Sequence, residues 1–320
     1  MYNIGIDIGG MSLKGGIVSL SGEIIKRATV ETVVGDSDGL IQKTEELVVK
    51  LLTNSPVDNS QIKAIGLGIP GTIDNDAGII VYSNNIKVEN VKIRDRLSDK
   101  FKKTVYLEND ANSAALGEVL FGGARGLNNI IFITLGTGVG TGIIVDGKIL
   151  TGRGGAGAEG GHMVLRMGGE KCTCGRRGCW ETYASAVALI RECRKSIDKH
   201  PDGLMAQIAK KDGKISGRTA FIAANQGDAL GQKVVNSYIQ HVSHGIINLV
   251  NIFRPDAIII GGGVSNEGDA FINKIDSIVS KYSYGGARNP SVKVLKAQLL
   301  NDAGILGAAA LCVRNEGGGL

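Results

Sequence analysis

At 320 residues the chain has room for two domains or one large one, and at 43% apolar and 21% charged it has the make-up of a globular protein rather than a fibrous or disordered one. The net charge of +5 comes from scattered lysines and arginines, with no run of five and no interleaved aromatics, so the pattern of a nucleic-acid face is excluded. No apolar stretch approaches the ~18 residues of a membrane span and Met1–Asp7 already reads as a strand, so a cytoplasmic protein with no membrane partner is expected.

The first element is a hairpin: the apolar strand ending at Ile8, a turn at Gly9-Gly10, and a returning strand through Val18. A strand over Glu23–Thr32, a helical pattern over Leu40–Leu52 and a strand over Ile62–Ile69 follow. Next come a short helix near Val91–Phe101, a strand over Thr104–Leu107 and a helix over Ala111–Leu120. A second hairpin, Ile133–Val145, leads to a strand over Lys148–Leu150 and to helices over Tyr183–Ser196, Met205–Lys210 and Leu230–Phe253. In the last of these Val235, Ile239, Val242, Ile246, Leu249 and Ile252 are assigned to one apolar stripe. A buried strand over Ala257–Ile260, a helix over Phe271–Tyr282, a strand over Val292–Leu295 and a helix over Ile305–Val313 complete the chain.

The two hairpins align at a constant offset of 127, with Ile6/Ile133, Gly9/Gly136, Gly15/Gly142, Ile17/Ile144 and Val18/Val145 identical. Each half reads as a three-strand meander followed by alternating helices and strands. That predicts two α/β domains of one plan with a cleft between them, and hinges at Pro70-Gly71 and Gly122-Gly123.

Chemistry is placed by the turns. Backbone amides in the Gly9-Gly10 and Gly136-Thr137-Gly138 turns can point at an anion, and Thr137 adds a hydroxyl. Asp7, just before the first turn, suits a Mg²⁺ ion that keeps several waters, and Lys14 emerges on the returning strand. Gly261-Gly262-Gly263 lies at the carboxyl end of a buried strand and lacks the full dinucleotide spacing, so adenosine fits better there than NAD. In Glu108-Asn109-Asp110-Ala111-Asn112, Asp110 reads either as a helix N-cap or as a general base for a sugar hydroxyl, with Asn109 orienting the same substrate. Cys172, Cys174 and Cys179 with His162 supply four ligands to a structural zinc, and the free nitrogen of His162 faces an acceptor such as a sugar hydroxyl. Glu159 and Glu181 bracket that segment and offer carboxylates to neighbouring hydroxyls. Cys193 and Cys312 read as small buried hydrophobes.

With these residues in view the chain resembles the ROK family (repressor, open reading frame, kinase) over essentially its whole length. Asp7-Ile8-Gly9-Gly10 through Lys14 is similar to the family's first phosphate motif, Glu108–Asn112 to its catalytic motif and Leu135-Gly136-Thr137-Gly138 to its second phosphate motif. Glu159-Gly160-Gly161-His162 is similar to its sugar signature, Cys172–Glu181 to its zinc signature and Ile260–Gly263 to its adenosine motif. The resemblance implies an α/β, duplicated actin-like (ribonuclease-H-like) fold. It divides the chain into a smaller domain over residues 1–115, completed by a C-terminal helix at about 301–320, and a larger one over 116–300 with the zinc loop and oligomerisation helices. It implies ATP, Mg²⁺ and structural zinc as cofactors and Asp110 as base. It also implies a hexose held by Gly71, Asn109, Asp110, Glu159, His162 and Glu181, and a homodimer or homotetramer. Ser12 is counted with the nucleotide-binding residues.

Glucose is the expected substrate, phosphorylated at its C6 hydroxyl. Mannose, N-acetylmannosamine, N-acetylglucosamine, fructose and allose are the alternatives, with the Gly71–Asn85 loop as discriminator and polyphosphate as a possible donor. A sugar-responsive repressor is expected against, because the kinase-like body begins at Ile4; a kinase-like binding protein without activity is the third reading. Met11 stands where the family has threonine, so a hydroxyl beside the phosphates is missing.

Overall fold

Ile4, Ile6 and Ile8 alternate with Asn3, Gly5 and Asp7, which gives the first strand, β1 (Tyr2–Ile8), one apolar face and one of small or polar groups. In a computed structural model, which describes residues 1–317, the isoleucines enter a core with Leu13, Leu47, Leu51, Leu67 and Leu97. The chain continues as β2 (Ser12–Ser19), β3 (Ile24–Glu31), α1 (Ser37–Leu52), β4 (Ile62–Ile69), β5 (Thr72–Asp74), β6 (Ile79–Ser83), β7 (Val88–Val91), α2 (Ile93–Phe101), β8 (Thr104–Asn109) and α3 (Asp110–Phe121). Five strands form a sheet of order β3-β2-β1-β4-β8. Its first three are antiparallel neighbours, and β1, β4 and β8 run parallel.

The second half supplies β9 (Ile130–Leu135), β10 (Val139–Val145), β11 (Lys148–Ile149), α4 (Glu181–Ala184), α5 (Ala186–Lys199), α6 (Leu204–Lys211), α7 (Arg218–Asn225), α8 (Ala229–Phe253), β12 (Ala257–Gly261), α9 (Asp269–Tyr282), β13 (Lys293–Lys296) and α10 (Ala303–Gly317). Its sheet has the order β11-β10-β9-β12-β13, the same arrangement strand for strand. β10 and β11 are antiparallel, and β12 and β13 parallel. The offset of 127 between the hairpins is thus the trace of a duplicated sheet, the plan of the actin-like α/β fold.

By internal contacts the chain forms two compact units. The first comprises Met1–Phe132, Gly142–Ala158 and the residues from Ala297 onward; the second comprises Ile133–Thr141 and Glu159–Lys296. Within the first, α10 packs on α3, β1 and β4. The approach is close enough that a side chain on Gly66 would overlap the Ala308 carbonyl oxygen. Buried Glu118 at the end of α3 fastens this return, accepting hydrogen bonds from the amides of Gly123 (2.9 Å) and Leu299 (2.9 Å).

The elements depart from the sequence expectations in four places. Residues 71–85, read as a loop, contribute to a three-stranded sheet β5-β6-β7, whose strands are too short for a period to register. The helix expected over Tyr183–Ser196 is two helices, because extended Ser185 ends α4 and caps α5 through the Ala188 amide at 3.2 Å. Helix α7 was not anticipated. On α8, Val235, Ile239, Val242, Ile246 and Leu249 are buried as the stripe requires, but Ile252 is 71% exposed: at 100° per residue the stripe passes through Val250, which is buried, and leaves Ile252 to one side. Among the described residues no helix is long and apolar enough to cross a membrane.

Candidate active site

In the first unit the register of the parallel strands assembles the polar residues. Asp7 of β1 pairs with Gly68 of β4, which pairs with Glu108 of β8, and Asn109 and Asp110 follow directly. The carboxyl ends of parallel strands are where α/β sheets present ligand-binding groups. Asp7 faces Lys14 across the hairpin. Its carboxyl is pushed up from 3.8 to about 6, first by burial and then by the nearby Asp110 carboxylate, with Lys14 opposing. The backbone of Gly304 at the start of α10 closes over Asp7 so tightly that a Cβ there would overlap the carboxyl group.

Asp110 is not the helix cap. Asn109 takes that duty: its Oδ1 accepts the amides of Ala111 (2.9 Å) and Asn112 (3.2 Å), and its Nδ2 donates to the Gly71 carbonyl at 3.1 Å. The capping reading of Asp110 is therefore overturned. An asparagine side chain reaches the second and third amides of a helix from the preceding position, whereas Asp110 already lies inside the helix. Its Oδ1 accepts the Ala111 amide at 2.9 Å, and burial raises its carboxyl above the ordinary range. Gly71 adopts φ 118°, and a Cβ would overlap the Tyr82 carbonyl oxygen, so only glycine fits this contact with Asn109.

The two glycine turns close alike. The Gly9 amide bonds to the Ser12 carbonyl at 3.0 Å, and its counterpart Gly136 bonds to the Gly138 carbonyl at 3.0 Å. Both amides are thus engaged within their own turns. Met11 projects into solvent at 90% exposure, while the Thr32 hydroxyl and amide hold the Gly9 and Met11 carbonyls at 2.6 and 3.2 Å. Thr137 is exposed on the second turn. Gly261 ends β12; Gly262 and Gly263 continue into a short 3-10 turn in which Ser265 returns a hydroxyl to the Gly262 carbonyl at 2.8 Å.

In the second unit the Gly160-Gly161-His162 turn is pressed onto β10. The Gly160 amide donates to the Thr141 hydroxyl at 2.9 Å, and a Cβ on Gly161 would overlap the Val139 carbonyl. Glu181 lies against the same strand, its Oε2 accepting the Val139 amide at 3.0 Å and its Oε1 lying 3.9 Å from Cys172 Sγ. The second glycine turn, His162 and Glu181 are therefore brought together, and Glu159 is tied to His162 by a backbone bond of 3.0 Å. The donor atoms of His162, Cys172, Cys174 and Cys179 all lie within 4.8 Å of one another. Cys172 Sγ is 3.6 Å from His162 Nδ1, and the Cys174 and Cys179 sulfurs are 3.6 Å apart. These four could hold a tetrahedral ion, whose edges with sulfur and nitrogen ligands measure about 3.5–3.8 Å. His162 then ligates through Nδ1 and keeps Nε2 for another partner. Trp180, fully buried and bonded through Nε1 to the His241 carbonyl at 2.9 Å, anchors the loop to α8.

Sequence reasoning passed over Glu108, a carboxylate buried at 4% exposure behind Asn109. Its signal was its place at the head of the Glu108–Asn112 motif, where it was given no separate role.

The chain matches the family model described as "ROK family" over residues 3–315. It is 36% identical to a glucokinase of Thermotoga maritima, with 98% of each chain covered. It is 30% identical to a xylose repressor of Caldicellulosiruptor bescii, covering 97% of this chain and 77% of the repressor. Among solved structures, a ROK family glucokinase from Streptomyces griseus in complex with glucose and AMPPNP superposes with a TM-score of 0.83 at 33% identity, covering 97% of this chain and 99% of the other.

Proposed function

The chain belongs to the ROK family, and on that premise we propose that it is a sugar kinase that transfers the γ-phosphate of ATP to the C6 hydroxyl of glucose. The observation that carries the mechanism is Asp110: a carboxylate released from capping by Asn109, with its pKa raised toward the working pH by burial. Asp110 accepts the C6 hydroxyl proton as the oxygen attacks phosphorus, and catalysis is otherwise positioning and charge neutralisation.

Asn109 keeps a second Nδ2 hydrogen for the sugar, and Gly71, Glu159, Glu181 and Nε2 of His162 complete the hydroxyl contacts. The phosphates lie against the Gly10 and Gly138 turns with Ser12, Lys14 and Thr137, and the adenosine lies against Gly261–Gly263. Asp7 would hold Mg²⁺ through water; the ion, when bound, neutralises phosphate charge. Zinc suits the Cys172, Cys174, Cys179 and His162 set, because three thiolates and an imidazole match its ligand preference and leave no open position. Its place is structural, fixing the loop that carries His162 and Glu181. The protein acts in the cytoplasm as a homodimer or homotetramer.

ADP release measured over a panel of hexoses tests the reading. Glucose gives the highest kcat/KM, with mannose and the N-acetylhexosamines below it; a panel with no sugar-dependent ADP would sink it.

A further inference from the structure

Glu108 accepts three hydrogen bonds in a buried site. Its Oε1 takes the Asn109 backbone amide at 2.8 Å and the Asn112 Nδ2 at 3.0 Å, and its Oε2 takes the Asn75 Nδ2 at 2.7 Å. The Asn109 amide belongs to the junction at which β8 becomes α3, the peptide that aims both Asn109 and Asp110. Asn75 comes from the turn after β5, and Arg94 of α2 holds that turn by donating to the carbonyls of Asn75 (3.0 Å) and Asp76 (3.0 Å). Asn109 bonds to the Gly71 carbonyl a few residues earlier in the same segment. Two side chains on successive residues, 108 and 109, therefore tie the Gly71–Asn75 segment to the catalytic turn.

The arrangement is not explained by stability alone. A buried carboxylate is costly unless fully hydrogen-bonded, and an apolar residue at the end of β8 would fill the same space without that cost. Arg314 of α10 supplies the counter-charge to Glu108. Asn112 points the same way: its Oδ1 is buried with no partner, so the bond to Glu108 is the one that accounts for an asparagine there.

We propose that Glu108 is a positioning residue for phosphoryl transfer, holding the Asn109–Asp110 junction in register with the Gly71–Asn75 segment. This rests on the kinase reading, in which Asp110 and Asn109 meet the sugar. Glu108→Gln offers one acceptor oxygen to three donors, so its amide either faces a donor or forces the Asn75 carboxamide to turn over. A reversed pair, Asp at 75 with Gln at 108, restores the contact with the donor and acceptor exchanged.

Three variants decide it: Glu108→Gln, Asn75→Ala and the double Asn75→Asp/Glu108→Gln, each assayed for glucose and ATP kinetics and for amide hydrogen exchange over residues 108–113. Glu108→Gln lowers kcat about 10- to 100-fold, the size of effect a misplaced catalytic group produces, with KM for ATP within about twofold. Asn75→Ala lowers kcat about three- to tenfold, and the double variant recovers to within about fivefold of the parent. Exchange in the first turn of α3 speeds up in both single variants and slows again in the double variant. A Glu108→Gln kcat within about twofold of the parent overturns the proposal. So does a double variant that regains its melting temperature but not its kcat. If Glu108→Gln does not fold, a parental kcat for Asn75→Ala has the same force. A parent with no sugar-dependent ADP instead defeats the kinase reading, and the exchange measurement still decides whether Glu108 holds the junction.

Discussion

Asp7→Asn should stabilise the protein at neutral pH while damaging its activity. The carboxyl of Asp7 is raised from 3.8 to about 6 in the fold, a shift of about 2 pK units, and each unit corresponds to about 1.4 kcal/mol. The native state therefore binds this proton more tightly than the unfolded chain does. Above about pH 6 the ionised carboxylate costs the fold roughly 3 kcal/mol; the cost shrinks as pH falls through the window from 6 to 3.8 and is absent once both states are protonated. Asparagine has the same shape without the charge, so it removes the cost where the carboxylate is ionised and changes little where it is not. Urea unfolding of parent and variant at about pH 7.5 and pH 4, without added divalent ions and without a chelator that would attack the Cys172 cluster, gives the comparison. The expected difference is about 3 kcal/mol in favour of the variant at the higher pH and close to zero at the lower. A variant no more stable at pH 7.5, or equally shifted at both pH values, refutes the assignment of strain to the buried charge. Phosphorylation falls in the same variant, because the charge that burdens the fold is the one that would hold Mg²⁺.

Asp110→Asn lowers kcat by about 10²–10⁴-fold, the usual contribution of a general base, and leaves glucose affinity within a few-fold by calorimetry. Its melting temperature does not fall, since Asn109 provides the cap; substantial retained turnover would remove Asp110 from its role. Stripping metal from the Cys172, Cys174, Cys179 and His162 cluster, verified by elemental analysis, weakens glucose binding through lost positioning of His162 and Glu181; full affinity in metal-free protein separates the cluster from the sugar site. Met11→Thr places a hydroxyl on the first glycine turn and lowers KM for ATP by about two- to tenfold, the worth of one hydrogen bond. An unchanged KM shows that the side chain at this solvent-exposed position is irrelevant to the nucleotide.

Much of the candidate site was legible because its residues lie close together along the chain. A Gly-Gly turn after a strand, three cysteines and a histidine within eighteen residues, and Asn109-Asp110 at a strand–helix boundary each carry their meaning in neighbouring positions. The capping assignment was not legible, because Asn109 and Asp110 are both good caps and only the path of the chain decides which of them lies outside the helix. Glu108 was given no role because Asn75 and Arg314, which meet it beside its near neighbour Asn112, come from distant segments. Ile252 was misplaced because two successive steps of three, from Ile246 to Leu249 and on to Ile252, carry it about 100° off the stripe.

The sequence by itself determined the duplicated plan, since a repeat at constant offset survives in the order of residues whatever their packing. It also picked out His162, Cys172, Cys174 and Cys179 as a group, since they lie close along the chain, and the fold gathers their donor atoms within 4.8 Å of one another. Tertiary structure alone decided the electrostatics. Asp7 and Asp110 are separated by about a hundred residues, and parallel pairing of β1, β4 and β8 is what brings them near enough to raise the Asp7 carboxyl. A pKa depends on distance and solvent, and neither is written along the chain.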